Sequence, residues 1–190
     1  MGLPTVWLNM RVVEERLGGV KLIESQVFRD ERGFFLESYN FRAFSAEAYL
    51  PDTFVQENHS RSEKNVLRGL HYQLSHPQGK LVRVVNGEIY DVVVDLRKSS
   101  PTFGRWTSFH LSSSEFLSLW VPVGFAHGFL SLKDNTDVVY KTTDYYDPSS
   151  EYCLRWDDPS LKIDWPLESL PLISKKDRLG KAFSDAPYFP

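Results

Sequence analysis

The chain has 190 residues, 42% hydrophobic and 25% charged, with a formal net charge of −3. That is enough apolar material for one packed domain and leaves no basic field to hold nucleic acid or an anionic membrane. Cys153 is the only cysteine, which excludes an intrachain disulfide and a multi-cysteine metal site. No run of about 18 apolar residues predicts a membrane span. Residues 1–10 lack the basic and then apolar pattern of a signal peptide, so a cytoplasmic protein is expected. Residues 1–19 read as a leader or arm ending in Gly18-Gly19, and 20–190 as a single domain. Partial alternation over 20–28 predicts a strand, 29–33 a turn and 34–39 a second strand. Asn40 suits the cap of a short helix in which Phe41, Phe44 and Ala48 follow helical spacing and which Pro51 ends.

The strongest local signal follows. Two β-rich runs, 81–85 and 88–95, flank Asn86-Gly87, a pair that tolerates positive φ and so predicts a tight hairpin. Further short strands are expected at 106–111, 116–121, 128–132 and 138–143, separated by loops rich in Pro, Gly, Ser or Asp. Regularly spaced strands without alternating helices point to an all-β antiparallel sandwich or barrel. From about 157 onward, Pro, Asp and Lys predict a wrap of short helices and loops over the core.

Ionisable and aromatic residues gather in four segments: 66–73, 78–83, 121–129 and 139–146. In a regular strand Arg68, Leu70 and Tyr72 share one face, and Leu67, Gly69 and His71 the other; a break at Gly69 would change this. Taken singly, each residue has a plainer reading. His71 and His127 are most simply structural histidines, Tyr140 core, Lys80 and Arg68 solvated, and Cys153 an inert small hydrophobe. His59 and His76 read as surface residues without partners. No His-x-His-x(3–4)-Glu run, Gly-rich phosphate loop, Cys-x-x-Cys or Gly-x-Ser-x-Gly is present, so neither metal nor cofactor is called for.

In their order and spacing, these segments resemble the dTDP-4-dehydrorhamnose 3,5-epimerase family of the dTDP-L-rhamnose pathway. The likeness runs through 28–40, Gln56-Glu57-Asn58, Arg68-Gly69-Leu70-His71-Tyr72-Gln73, Gln78-Gly79-Lys80, Ala126-His127-Gly128, Tyr140-Lys141, Ser150-Glu151, Asp164-Trp165-Pro166 and Ser174-Lys175-Lys176-Asp177, and covers about 20–187. It implies a cupin-like jelly roll with short peripheral helices, a homodimer, a dTDP-sugar substrate and no cofactor. It also implies roles: His71 as general base, Tyr140 as general acid on the opposite sugar face, Asp177 as the partner of His71, and Lys80 beside an enolate oxygen. Arg32, Glu37, Gln56, Glu57, Asn58, Arg68, His127, Glu151 and Lys176 match substrate-contacting positions, and Tyr145 the aromatic that stacks on thymine. The chain departs from the family in having Glu57 where Asp is frequent, and in a longer stretch before Val20.

Those residue types suit the chemistry. Protons on C3 and C5 of a 4-keto sugar lie beside the ketone, and removing either gives an enolate. A neutral imidazole is a fitting base near neutral pH, an ammonium steadies the oxygen, and a phenol returns a proton from the other side. A 3- or 5-epimerase acting on one carbon would use the same residues; a non-catalytic sugar-nucleotide-binding barrel and a metal-dependent cupin enzyme are readings of other classes.

Overall fold

A computed structural model describes residues 10–48 and 53–190. Two antiparallel sheets face each other. The larger has the order β1 (Met10–Arg16), β2 (Val20–Ser25), β10 (Leu117–Val121), β7 (Lys80–Asn86), β12 (Thr136–Thr142) and β5 (Gln56–Ser62). The smaller has the order β13 (Glu151–Cys153), β6 (Leu67–Gln73), β11 (Phe125–Ser131), β8 (Glu88–Asp95) and β9 (Trp106–Ser112). This is the jelly-roll barrel expected of the chain. Part of the expected leader is β1, which pairs with β2. Its residues 1–9, like the helix-ending Pro51, lie outside the described residues.

Strand alternation sorts the apolar residues into three layers. Val82, Val84, Leu119, Val121 and Val138 meet Ile89, Val93, Phe109, Phe125 and Phe129 between the sheets. On the outside of the smaller sheet, Leu70, Val92, Val94 and Ala126 are covered by Leu154, Leu161, Trp165 and Ala186 of the C-terminal wrap. On the outside of the larger sheet, Ile23, Leu81 and Trp120 are covered by Ala43 and Phe44 of α1 (Phe41–Ala48). Asn40 caps that helix as expected, its Oδ1 accepting from the N–H groups of Arg42 and Ala43.

Two expectations are corrected. The run 20–28 is not one strand: β2 ends at Ser25, and β3 (Val27–Asp30) leaves the sheet to pair with β4 (Gly33–Leu36) in a two-stranded ribbon that exposes Phe28, Phe34 and Phe35. Nor do the runs flanking Asn86-Gly87 form a hairpin. β7 lies between β10 and β12 while β8 lies between β11 and β9, so the chain crosses from one sheet to the other at this point. Gly87 has φ +81°, but Asn86 is not left-handed, whereas the tight hairpin turn needs positive φ at both residues. Glycine is required here for space: a Cβ on Gly87 would lie 2.3 Å from Thr136 Oγ1.

Candidate active site

Between the sheets, the side bordered by β5, β6, β12 and β13 is not filled with apolar residues. It holds a cavity with two lobes of about 290 and 220 Å3 that share His71, Lys80 and Tyr140. Alternation supplies most of its walls. On β5 the even residues Gln56, Asn58 and Ser60 line it, while Glu57, His59 and Arg61 face out. On β7 the interior row Lys80, Val82, Val84 begins in the cavity and continues into the apolar core.

β6 breaks the alternation. Arg68 and His71, an odd number of residues apart, both line the cavity. His71 pairs with His127 and Arg68 with Phe129, so β6 carries one residue more than β11 across this stretch, a bulge centred on Gly69. Gly69 has φ +107°, and a Cβ on it would come within 2.6 Å of the His127 carbonyl oxygen. The bulge is therefore tied to glycine, and it is what turns Arg68 and His71 to the same side.

Asp177 reaches His71 from the other end of the chain. Ser174 caps α2 (Lys175–Arg178) by accepting from the Asp177 N–H. That turn brings Asp177 Oδ1 within 2.6 Å of His71 Nε2, with the carboxylate 4% exposed. Burial raises the Asp177 pKa, but the His71 contact, the Gly69 N–H and Ser174 outweigh it and hold the group below its ordinary value. The Lys80 ammonium, 3.4 Å from the His71 carbonyl oxygen, is pushed down to about 8 by burial, against the pull of Glu151 and Asp91. Burial likewise pushes the Tyr140 phenol up.

A second buried pair stands behind these groups. His127 Nε2 lies 2.8 and 3.0 Å from the two oxygens of Asp91. Burial pushes the Asp91 carboxyl up, opposed by His127 and Lys80. At the rim, Glu151 accepts from Lys176 and, at 2.7 Å, from the Tyr146 hydroxyl. Burial raises Glu151, but Lys176, Tyr146 and the nearby His71 together bring it below the ordinary range.

Of the residues singled out in the sequence, His71, Lys80, Tyr140, Asp177, Gln56, Asn58, Arg68, His127, Glu151 and Lys176 line this cavity. Four others do not. Glu57 lies on the outer face of β5 and pairs with Lys141 across the β5–β12 register. Arg32 is exposed at the turn of the β3–β4 ribbon and pairs with Asp30. Glu37 follows that ribbon and accepts from Asn40. Tyr145 is exposed, and its neighbour Tyr146 forms the wall instead. His59 and His76 are exposed but not unpartnered: they lie 3.0 Å from Asp137 and 3.3 Å from Asp144. Sequence reasoning missed Ser60, Asp91 and Tyr146. Ser60 Oγ is buried in the cavity wall without a hydrogen-bond partner in the described protein. Asp91 did leave a signal, a lone carboxylate inside the apolar run Ile89-Tyr90-Asp91-Val92-Val93-Val94.

An imidazole, a phenol and an ammonium thus converge on one cavity, with buried carboxylates behind. Such a site can take a proton from carbon, steady an oxyanion and return a proton from another direction. Comparison with known proteins gives the same direction. Residues 14–185 match the family described as dTDP-4-dehydrorhamnose 3,5-epimerase. The protein of that name from Pseudomonas aeruginosa is 54% identical over 181 residues, spanning 95% of this chain and 100% of its own. The crystal structure of dTDP-6-deoxy-D-glucose-3,5-epimerase from Legionella pneumophila, in complex with dTDP-4-keto-L-rhamnose, superposes with a TM-score of 0.91 at 46% identity, covering 94% of this chain and 95% of that one. The Bacillus anthracis dTDP-4-dehydrorhamnose 3,5-epimerase with TDP and PPi bound gives 0.88 at 44% identity, covering 91% and 99%.

Proposed function

Because the chain belongs to the dTDP-4-dehydrorhamnose 3,5-epimerase family, we propose that it inverts C3 and C5 of dTDP-4-dehydro-6-deoxy-D-glucose to give dTDP-4-dehydro-L-rhamnose. The observation that carries this reading is the sharing of one cavity by His71, Lys80 and Tyr140.

His71 donates Nε2–H to Asp177, which leaves the Nδ1 lone pair as the base. It removes the proton from C3 or C5, and the electron pair moves through the new C–C double bond onto the ketone oxygen. Lys80 holds that oxygen's charge, a contribution of about 2.7–4 kcal/mol for a donor of this kind. The Asp177 carboxylate stabilises the imidazolium while it lasts. Tyr140, which stands on the opposite sheet, returns a proton to the other face of the ring, and the enolate closes back to the ketone. The electrons stay in the sugar throughout. Arg68 and Lys176 supply local positive charge, and His127 a polar ring, for an anionic sugar nucleotide in a chain of net charge −3, and Tyr146 offers the aromatic surface for the base.

The proposed assembly is a homodimer in the cytoplasm. Exposed Phe28, Phe34 and Phe35 on the β3–β4 ribbon support a second copy of the chain as its neighbour. Sedimentation at the mass of one chain would overturn the dimer.

Incubation with dTDP-4-keto-6-deoxyglucose in D2O, without added metal or nucleotide cofactor, tests the reaction. Deuterium is expected at both C3 and C5, and its absence at both rejects the proposal. In Tyr140→Phe, exchange by His71 persists while inversion drops; full epimerisation by that variant would show that the acid lies elsewhere.

A further inference from the structure

We propose that the edge of the cavity beside His71 is also a binding site for one borderline-soft divalent cation of the Zn2+ class, held by His71 Nε2, Cys153 Sγ and Asp177, and that its occupation switches the enzyme off. The three residues are 82 and 24 positions apart in sequence, so no ligand spacing announces them. The fold joins them: Cys153 is the register partner of His71 across β13–β6, and the capped turn of α2 delivers Asp177.

The ligand atoms all lie within 4.8 Å of one another, with His71 Nε2 2.6 Å and Cys153 Sγ 4.0 Å from Asp177 Oδ1. One nitrogen, one sulfur and one oxygen make the donor set of a three-ligand zinc centre, in which a fourth position stays open. His71 and Asp177 both line the cavity, so the site stands at its edge. Cys153 is partly exposed, and its thiol makes only long contacts, 3.4 Å to the Leu154 carbonyl and 4.0 Å to Asp177 Oδ1.

The ion would take the place of the proton shared by His71 and Asp177. As the N–Zn bond forms, the ring's single proton moves through water from Nε2 to Nδ1. As the S–Zn bond forms, the thiol releases its proton to solvent. The proton on Nδ1 occupies the nitrogen that the proposed mechanism uses as base, so abstraction stops. The effect on rate rests on that mechanism; the binding of the ion does not.

Co2+ serves as the spectroscopic probe on the full chain. One equivalent should give thiolate-to-cobalt charge-transfer absorption that Zn2+ abolishes by displacement, and Cys153→Ala and Cys153→Ser should lack it. Zn2+ should halve deuterium exchange by the unaltered protein at a concentration at least tenfold lower than it needs for either variant. Both variants should keep their metal-free rate, and Mg2+ should inhibit none of the three. Absence of the thiolate band, or equal Zn2+ sensitivity with and without the thiol, would overturn the site. If the metal-free protein shows no exchange at all, the epimerase reading fails while the cobalt spectrum still decides this one.

Discussion

The space between the two sheets has two halves made largely by the same strands. Toward β2, β9 and β10 it is packed with Val20, Phe109, Leu111, Leu119 and Val121; toward β5, β6 and β13 it is open and lined by Asn58, Arg68, His71 and Glu151. β7 and β11 run through both: Val82 and Phe125 belong to the packed half, Lys80 and His127 to the open one; β12 stands at the boundary, where Val138 and Tyr140 both join the apolar cluster and line the cavity. Alternation decides only whether a side chain points inward; position along and across the sheet decides which half it enters. The packed half holds the strands in register by burial, at about 25 cal/mol per Å2 of apolar surface. The open half can then carry buried charge that would not hold a fold together by itself, and its dipoles stand in place before substrate arrives.

If that division of labour is right, changes in the open half act on turnover and changes in the packed half on stability. The largest effect on turnover is expected from His71→Asn. Loss of the base should lower C3 and C5 exchange by about 10⁴-fold, the upper end of what general acid–base catalysis supplies, with a cooperative melting transition retained. A fall of less than tenfold would remove His71 from the mechanism.

Lys80→Met comes next and pulls the two measures in opposite directions. Turnover should fall by about 10²–10³-fold, as for other oxyanion donors. Stability near neutral pH should rise by about 1 kcal/mol, a Tm gain of about 2–4 °C, because an ammonium leaves a desolvated site. The sign follows from linkage: the folded chain holds this proton less tightly than the unfolded one, with the pKa lowered from 10.5 to about 8. The charged lysine therefore costs stability below about pH 8, and the cost fades as pH climbs from there toward 10.5. The same titration sets an activity limb. Turnover of the unaltered enzyme should decline as pH rises through about 8, and in Lys80→Met that limb should be gone. Calorimetry and a pH–rate profile on both proteins check the pair of claims.

How far the sequence foretells each half depends on how local its causes are. The strands were legible because alternation is a property of neighbours, and so was the inward row of β12 that holds Tyr140. Glu57 and Tyr145 each stand one position from a residue that lines the cavity. Parity along β5 brings in Gln56 and Asn58 and turns Glu57 out, and Tyr146 rather than Tyr145 forms the wall. The Gly69 bulge was visible as a glycine inside a strand, but its consequence depends on Gly128 across the sheet, whose own Cβ would lie 2.5 Å from the Arg68 carbonyl. Asn86-Gly87 misled because the pair reports turn tolerance, not which strands will pair. The Asp177–His71 contact, between residues 106 apart, came from family resemblance alone; no periodicity encodes it.

Leu119→Ala should have the smallest effect on turnover and is the sharpest test of the comparison. Leu119 is fully buried on β10, pairs with Val82 and Leu22 in register, belongs to the apolar cluster of Val84, Phe109 and Val138, and lines neither lobe of the cavity. Removing its branched end leaves a void that the surrounding strands fill only in part, at a cost of about 2–5 kcal/mol. Well below the lowered Tm, the strands bearing Lys80 and Tyr140 still hold the register set by their flanking pairs, so turnover should stay within about twofold and the basic limb near pH 8 should not move. A tenfold loss of turnover at a temperature where the variant is fully folded, or a displaced limb, would mean that packing at Leu119 positions the ammonium directly. The two halves would then be one mechanical unit, and the stability of one could not be changed without retuning the chemistry of the other.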